Sequence, residues 1–386
     1  MTTDEPQPSR MQPPANQRRT FWQITRDRLP GITLAFAVGT IGALVFIRLK
    51  APLPIFLGSL AFCMAASIFR VPLKRPKSLS GPMRAVLGVA IGAAFTPELL
   101  QRAPELAVSL ALIVPFSAAI TYAGYLFYSR VASFSRATAF FGSVPGGLND
   151  MVAMAESAGA DQRAVTLLSS VRMVAILFLI PIWMQATTNL DVGGAIINTI
   201  HVWEMRTVDI VVIVVIAAVG WWAADRLGIA GAAIVGPMIV SAFAHAFGLT
   251  AALVPTEALI LAQLTLGILL GAQFRGVTMR ELSTTVLWGV LFSAVIMVAT
   301  LAVAYGVWTL TGADPNSVLL AYAPGGQSEL NLLALILQLD VAFIALHHLL
   351  RVAAVIIGAQ IVFRLHPSWQ VGSVSAAPAS PHGQRE

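Results

Sequence analysis

"SVPGGLNDM", residues 143–151, lies inside a long apolar tract, and Pro-Gly-Gly there should break any helix. The chain does the same again at "YAPGGQSEL", residues 322–330. Proline removes a backbone donor, and two glycines let the chain turn without a Cβ penalty. In hydrocarbon such freed backbone groups survive only where they are buried in protein or line a cavity. The composition sets both breaks in that medium. Over 386 residues, 57% are hydrophobic and 11% charged, too few charges to cover a water-facing surface. Mean hydropathy is +0.79. Runs such as 209–224 and 287–310 approach or exceed the roughly 20 residues a bilayer core demands of a helix. The chain reads as an all-α, multi-pass membrane protein whose first partner is the lipid bilayer.

Net charge is +6, and much of the positive charge flanks apolar segments, where it retains loops in the cytoplasm. A nucleic-acid surface is the weaker reading. The single cysteine, Cys63, excludes an intramolecular disulfide. Residues 1–29 read as a disordered basic tail and 365–386 as a second tail. "RRTFWQ" (18–23) looks like a twin-arginine export signal, but Arg26 and Arg28 intervene and no cleavage site follows, so retention in the membrane is the stronger reading.

Apolar segments run 31–47, 53–69, 83–96, 105–128, 137–158 and 163–184, then 208–224, 229–247, 257–274, 284–310, 316–339 and 341–364. Six and six invite a search for a repeat. Pro324 follows Pro145 by 179 positions, and in that register 7 of 28 residues are identical. They include both Pro-Gly-Gly triplets, Asp161 with Asp340 and Arg172 with Arg351. The same offset aligns "LGVAIGAAF" (87–95) with "LGILLGAQF" (266–274). The chain is therefore two copies, 30–184 and 208–364, joined by a linker over 185–207.

Loop charge orients the copies. "RVPLKRPKSLSGPMR" (70–84) holds five Lys or Arg, whereas its counterpart "HAFGLTAALVPTE" (245–257) holds none. Corresponding loops are thus expected on opposite faces, which makes the repeat inverted. Inversion needs an odd number of crossings per copy. The Pro-Gly-Gly segment has about 11 residues on either side of its break, and each arm reaches only halfway through a roughly 30 Å core. Five crossings plus one re-entrant or broken element per copy are expected, with both termini cytoplasmic. A fully crossing broken helix is the alternative.

Paired breaks in inverted halves point to a solute site. The candidates are Pro145, Gly146, Gly147, Asn149, Asp150 and Arg172, with Pro324, Gly325, Gly326, Ser328, Glu329, Asn331 and Arg351. Asn149 and Ser328 read as helix N-caps, and Asp150 and Glu329 sit in the first turn, where the helix dipole favours an anion. Carboxylates at that depth suit a proton or cation. Arg172 and Arg351 fall near mid-membrane, so each must meet a carboxylate, carbonyl dipoles or an anionic ligand. His347 and His348 lie one turn before Arg351 and have no counterpart in the first copy; helix–helix hydrogen bonding is preferred to a proton relay that would include Asp161 and Asp340. No metal-ligand spacing is evident, so neither metal nor cofactor is expected. Gly88/Gly92 and Gly267/Gly271 form GxxxG faces for close helix approach.

"VPGGLNDMVAMAESAGAD" (144–161) and "APGGQSELNLLAL" (323–335) resemble the AbrB membrane-protein family, over nearly the whole chain except the tails. That resemblance implies a duplicated membrane domain, with labels of gene-expression regulator and ammonia monooxygenase. The six histidines form no copper or iron cluster and no DNA-reading domain is present, so an enzyme is not expected and regulation would be indirect. The leading expectation is a secondary transporter of a small polar or anionic solute, coupled to H+ or a cation, in a bacterial inner membrane. Homodimerisation is left open.

Overall fold

The computed structural model describes residues 21–97, 103–146, 148–187 and 200–366, with the side chains of 21–28, 103–105 and 148–150 outside that description. The far C-terminal tail, most of the linker and residues 1–20 lie outside it too. The described chain is helical throughout: α1 (Phe21–Arg48), α2 (Pro54–Ile68), α3 (Lys77–Gly92), α4 (Ala103–Leu126), α5 (Arg136–Ser143), α6 (Leu148–Ser157) and α7 (Gln162–Thr187). Then follow α8 (Thr207–Arg226), α9 (Ala232–Ala246), α10 (Thr256–Gly271), the single turn α11 (Met279–Glu281), α12 (Leu287–Thr311), α13 (Pro315–Tyr322), α14 (Gln327–Ile336) and α15 (Val341–Leu365). Among the described residues seven helices are long and apolar enough to cross a bilayer. The chain is a multi-pass membrane protein.

Shifted by 179, α3, α5 and α6 land on α10, α13 and α14 residue for residue, and α7 starts where α15 does. Two boundaries differ from the sequence reading. Residues 21–29, expected in the tail, already belong to α1. Helix α3 begins at Lys77 rather than residue 83, because hydropathy does not register a polar helical turn at the membrane edge. Helices α2, α3 and α9, expected to cross, have 15, 16 and 15 residues and span only about 22–24 Å by themselves.

The helices pack as two bodies. Helices α1, α2, α3, α8, α9 and α10 form one; α4 to α7 and α12 to α15 form the other, with α3 touching α14 and α15 between them. The pairings repeat across the duplication: α3 packs on α9 as α10 packs on α2, and α4 packs on α15 as α12 packs on α7. The expected GxxxG faces make the first of these contacts. A Cβ on Gly88 would strike the Ile234 carbonyl and one on Gly92 the Met238 carbonyl, so α3 and α9 run in the same direction at backbone contact.

Hydrogen bonds fix which helix ends share a level. Lys74 N donates to Gly31 O (2.9 Å) and an Arg275 Nη to Leu73 O (3.1 Å). Arg163 donates to Gly276 O (2.6 Å) and Glu281 Oε2 (2.9 Å). The start of α1's apolar span, near Gly31, and the starts of α3, α7 and α11 therefore gather at the end of α10, the near end. The far end holds the start of α10, where Thr256 N donates to Ile200 O (3.1 Å) just before α8. Helix α1 starts at one end of α10, and α8 at the other.

Candidate functional site

Each Pro-Gly-Gly break joins two short helices into a hairpin. Asp161 N, at the exit of the first, donates to Thr138 Oγ1 at its entrance (3.0 Å); Asp340 N donates to Ser317 Oγ at the equivalent place in the second (3.1 Å). Each hairpin leaves and returns at a single end of the bundle. The re-entrant geometry thus replaces the fully crossing alternative. The first opens beside the start of α7, at the near end. Helix α12 carries the chain to the far end, where the second opens.

The tips lie halfway in. Arg172 and Arg351 each occupy the eleventh position of α7 and α15, helices of 26 and 25 residues. Arg172 Nη1 donates to Gly142 O (2.9 Å) and Ser143 O (3.0 Å), and Nη2 to Val144 O (2.8 Å). Arg351 Nη1 donates to Ala323 O and Nη2 to Gly325 O (3.3 Å). Of the partners the sequence allowed, carbonyl dipoles are the ones found. A helix that stops inside a membrane leaves its last carbonyls orphaned, and a planar fork of donors satisfies several at once. The tips also reach across the duplication: a Cβ at Gly146 would stand 3.1 Å from Val355 of α15, and one at Gly326 would stand 3.0 Å from the Met173 sulfur of α7.

Pro145 and Pro324 are buried at these tips, with Gly146, Gly325 and Gly326 partly so. Asp150 falls in the first turn of α6, but its side chain, that of Asn149, and Gly147 lie outside the described residues. Helix α6 begins at Leu148, and α14 at Gln327 with Gly326 as its cap, so Asn149 and Ser328 both sit inside a first turn, a correction to the N-cap reading. The Ser328 hydroxyl donates instead to Glu329 Oε2 (2.8 Å). Glu329 is 5% exposed. Its other oxygen stands 3.8 Å from Arg84 Nη2 of α3. Asn331 is fully buried, and neither of its amide atoms has a hydrogen-bond partner among the described residues; Gln327 Nε2, one turn earlier, is in the same position.

Asp161 and Asp340 are occupied as caps. Asp161 Oδ1 accepts from the backbone N–H of Arg163 (2.9 Å) and Ala164 (3.0 Å), and Asp340 Oδ1 from that of Phe343 (3.0 Å). The histidines tie helices together. His347 Nδ1 lies 2.8 Å from Phe343 O, so it carries the proton, and Nε2 accepts from Ser109 Oγ of α4 (2.8 Å). The Tyr322 hydroxyl donates to Ser109 O (2.6 Å), and His348 Nε2 to Leu320 O (3.0 Å). Sequence reasoning missed Ser109, Tyr322 and Arg84. Among the described residues no three or more His, Cys, Asp or Glu side chains converge to hold a metal. An apolar groove of about 460 Å³, lined by residues such as Val114, Tyr125, Val144 and Val355, opens between α4, α5 and α15.

The chain is 25% identical over 319 residues to "Putative regulator AbrB" of Escherichia coli (strain K12), covering 81% of this chain and 89% of that protein. It is 24% identical over 292 residues to "Uncharacterized protein YhjN" of Bacillus subtilis (strain 168), covering 70% and 74%. The family model described as "Transition state regulatory protein AbrB" matches residues 55–366, and the chain belongs to that AbrB family.

Proposed function

We propose that this chain is a secondary transporter, residing in a bacterial cytoplasmic membrane with both termini in the cytoplasm, that moves a small polar or anionic solute coupled to H+ or another cation. The observation that carries this reading is the pair of hairpins, entering from opposite ends and braced by Arg172 and Arg351 at mid-height. Discontinuous helices meeting at the midplane of oppositely oriented halves are how secondary transporters expose helix termini to a solute. In this reading Asp150 and Glu329 take the coupling ion, and the glycine-capped start of α14, with Ser328 and Asn331, takes part of the solute. Arg172 and Arg351 hold the tips open as backbone braces.

The test compares metabolites inside and outside cells carrying the wild-type chain or the D150N/E329Q double variant. The double variant should insert normally and lose the solute gradient; an unchanged gradient ends the assignment. The words regulatory and regulator, in the names of the family and of the Escherichia coli relative, support a second reading, in which this membrane chain regulates without flux. It requires a stoichiometric cytoplasmic partner, engaging the basic segment 70–84, and no solute accumulation in vesicles.

A further inference from the structure

Arg84 is absent from every motif the duplication reveals. Shifted by 179, its counterpart on α10 is Gln263, a buried neutral residue. A guanidinium at this place is therefore an addition to the shared scaffold. It also stands where the two helical bodies meet, on α3 of one and against Glu329 on α14 of the other.

The guanidinium is under-used. Among the described residues its ion pair with Glu329, at 3.8 Å, is too long for a hydrogen bond, and its buried Nε has no hydrogen-bond partner. The side chain is 40% exposed, so it is reachable from outside the protein core. Arg75, on the loop before α3, is pulled below the usual guanidinium range by partial burial and then by the charge of Arg84. Two cations close together attract an anion. The first turn of α14 has no side-chain cap, which leaves its N–H groups and positive dipole end beside the same carboxylate. A second set of unmet donors follows on that helix, Gln327 Nε2 and Asn331 Nδ2, the latter on a fully buried side chain.

We propose that Arg84 is a switchable receptor for a small oxyanion: charged Glu329 holds the guanidinium and repels the anion, and a proton on Glu329 releases the fork to bind it. With Glu329 charged, the pair is neutral and an incoming anion meets a carboxylate. One proton on Glu329 leaves a single positive charge, which a carboxylate or phosphate oxyanion neutralises by bidentate contact. Proton and anion then enter together. Among the described residues, the other buried cationic and titratable groups of α13, α15 and α7 are hydrogen-bonded elsewhere. Arg351 binds the Ala323 and Gly325 carbonyls, His348 the Leu320 carbonyl and His347 the Ser109 hydroxyl. Tyr322 is held by the Ser109 carbonyl, and Arg172 of α7 by residues 142–144. The proposal rests on the solute-site reading above, with a test that needs no flux.

Full-length protein in detergent is titrated with acetate, succinate or inorganic phosphate against chloride at matched ionic strength, at pH 5 and pH 7.5, following the apparent unfolding temperature. At least one oxyanion should stabilise the wild type, with apparent affinity about tenfold or more tighter at pH 5, in the range typical of linked sites. R84Q, which installs the residue of the other half, should lose that response while still eluting as a single species. R84K should retain part of it, and E329Q should bind acetate, which stays mostly ionised over this range, about equally at both pH values. A response surviving in R84Q, a wild-type pH dependence persisting in E329Q, or no oxyanion response at either pH overturns the proposal. Acetate and succinate without phosphate name the carboxylate class, and the reverse names phosphate. Binding without flux in vesicles leaves Arg84 as the receptor and removes the transport reading alone.

Discussion

Replacing Arg172 with methionine tests whether the mid-membrane arginines are backbone braces. The guanidinium serves three carbonyls, Gly142, Ser143 and Val144, at 2.8–3.0 Å. A hydrogen bond to a charged group contributes about 1.5–3 kcal/mol, and a buried acceptor left alone costs its full desolvation penalty. The three share one fork and do not add independently. The expected loss is about 3–5 kcal/mol, less than three independent charge-assisted bonds would sum to. R351M orphans two carbonyls and should cost less, about 2–4 kcal/mol. Lysine, a point charge without the fork, should recover only part in R172K. The assay is the apparent unfolding temperature in detergent, where R172M should fall by several degrees and R351M by fewer. An R172M midpoint within about 1 °C of wild type would refute the brace, since a cost of this size must shift the transition. Lost solute response at unchanged stability would return Arg172 to ligand binding.

Other consequences follow from single contacts. D161A and D340A should each cost about 1 kcal/mol as lost N-caps while leaving flux intact; abolished flux at wild-type stability would restore the relay reading. Gln338 is exposed and left-handed (φ 52°), and its counterpart is Gly159 (φ 63°). Q338G should therefore stabilise by about 0.5–1 kcal/mol, read as a raised unfolding midpoint, and a lowered midpoint would contradict the strain argument. G92V places side-chain atoms against the Met238 carbonyl and Ser241 of α9, and should shift the chain from a single elution peak to aggregate; a monodisperse variant would show that α3 and α9 can separate at little cost.

The duplication was legible because Pro-Gly-Gly, Asp and Arg recur at one offset, and that offset carries through to helix boundaries the sequence only approximated. The shortness of the hairpin's arms was legible from the spacing around each break. Its closure was not, since Thr138 and Ser317 differ in kind and reveal their shared role only when Asp161 and Asp340 sit above them. The arginines' places along α7 and α15 were legible, but several partners could satisfy a buried guanidinium. Counting orphan carbonyls at the end of α5 would have selected the right one. Arg84 could not be found by looking for symmetry, because it belongs to one half alone. Its partner lies 245 positions away, and hydropathy had set α3 to begin at residue 83.

Single-cysteine accessibility at positions 74 and 253, in a background lacking Cys63, tests the opposed entry of the two hairpins most directly. Lys74 sits at the end where α1 starts, and Leu253 just before the start of α10 at the other. In intact cells a membrane-impermeant thiol reagent should label position 253 and spare position 74 until the membrane is opened. Labelling of both, or of neither, before opening would place the two loops on one side and contradict the account.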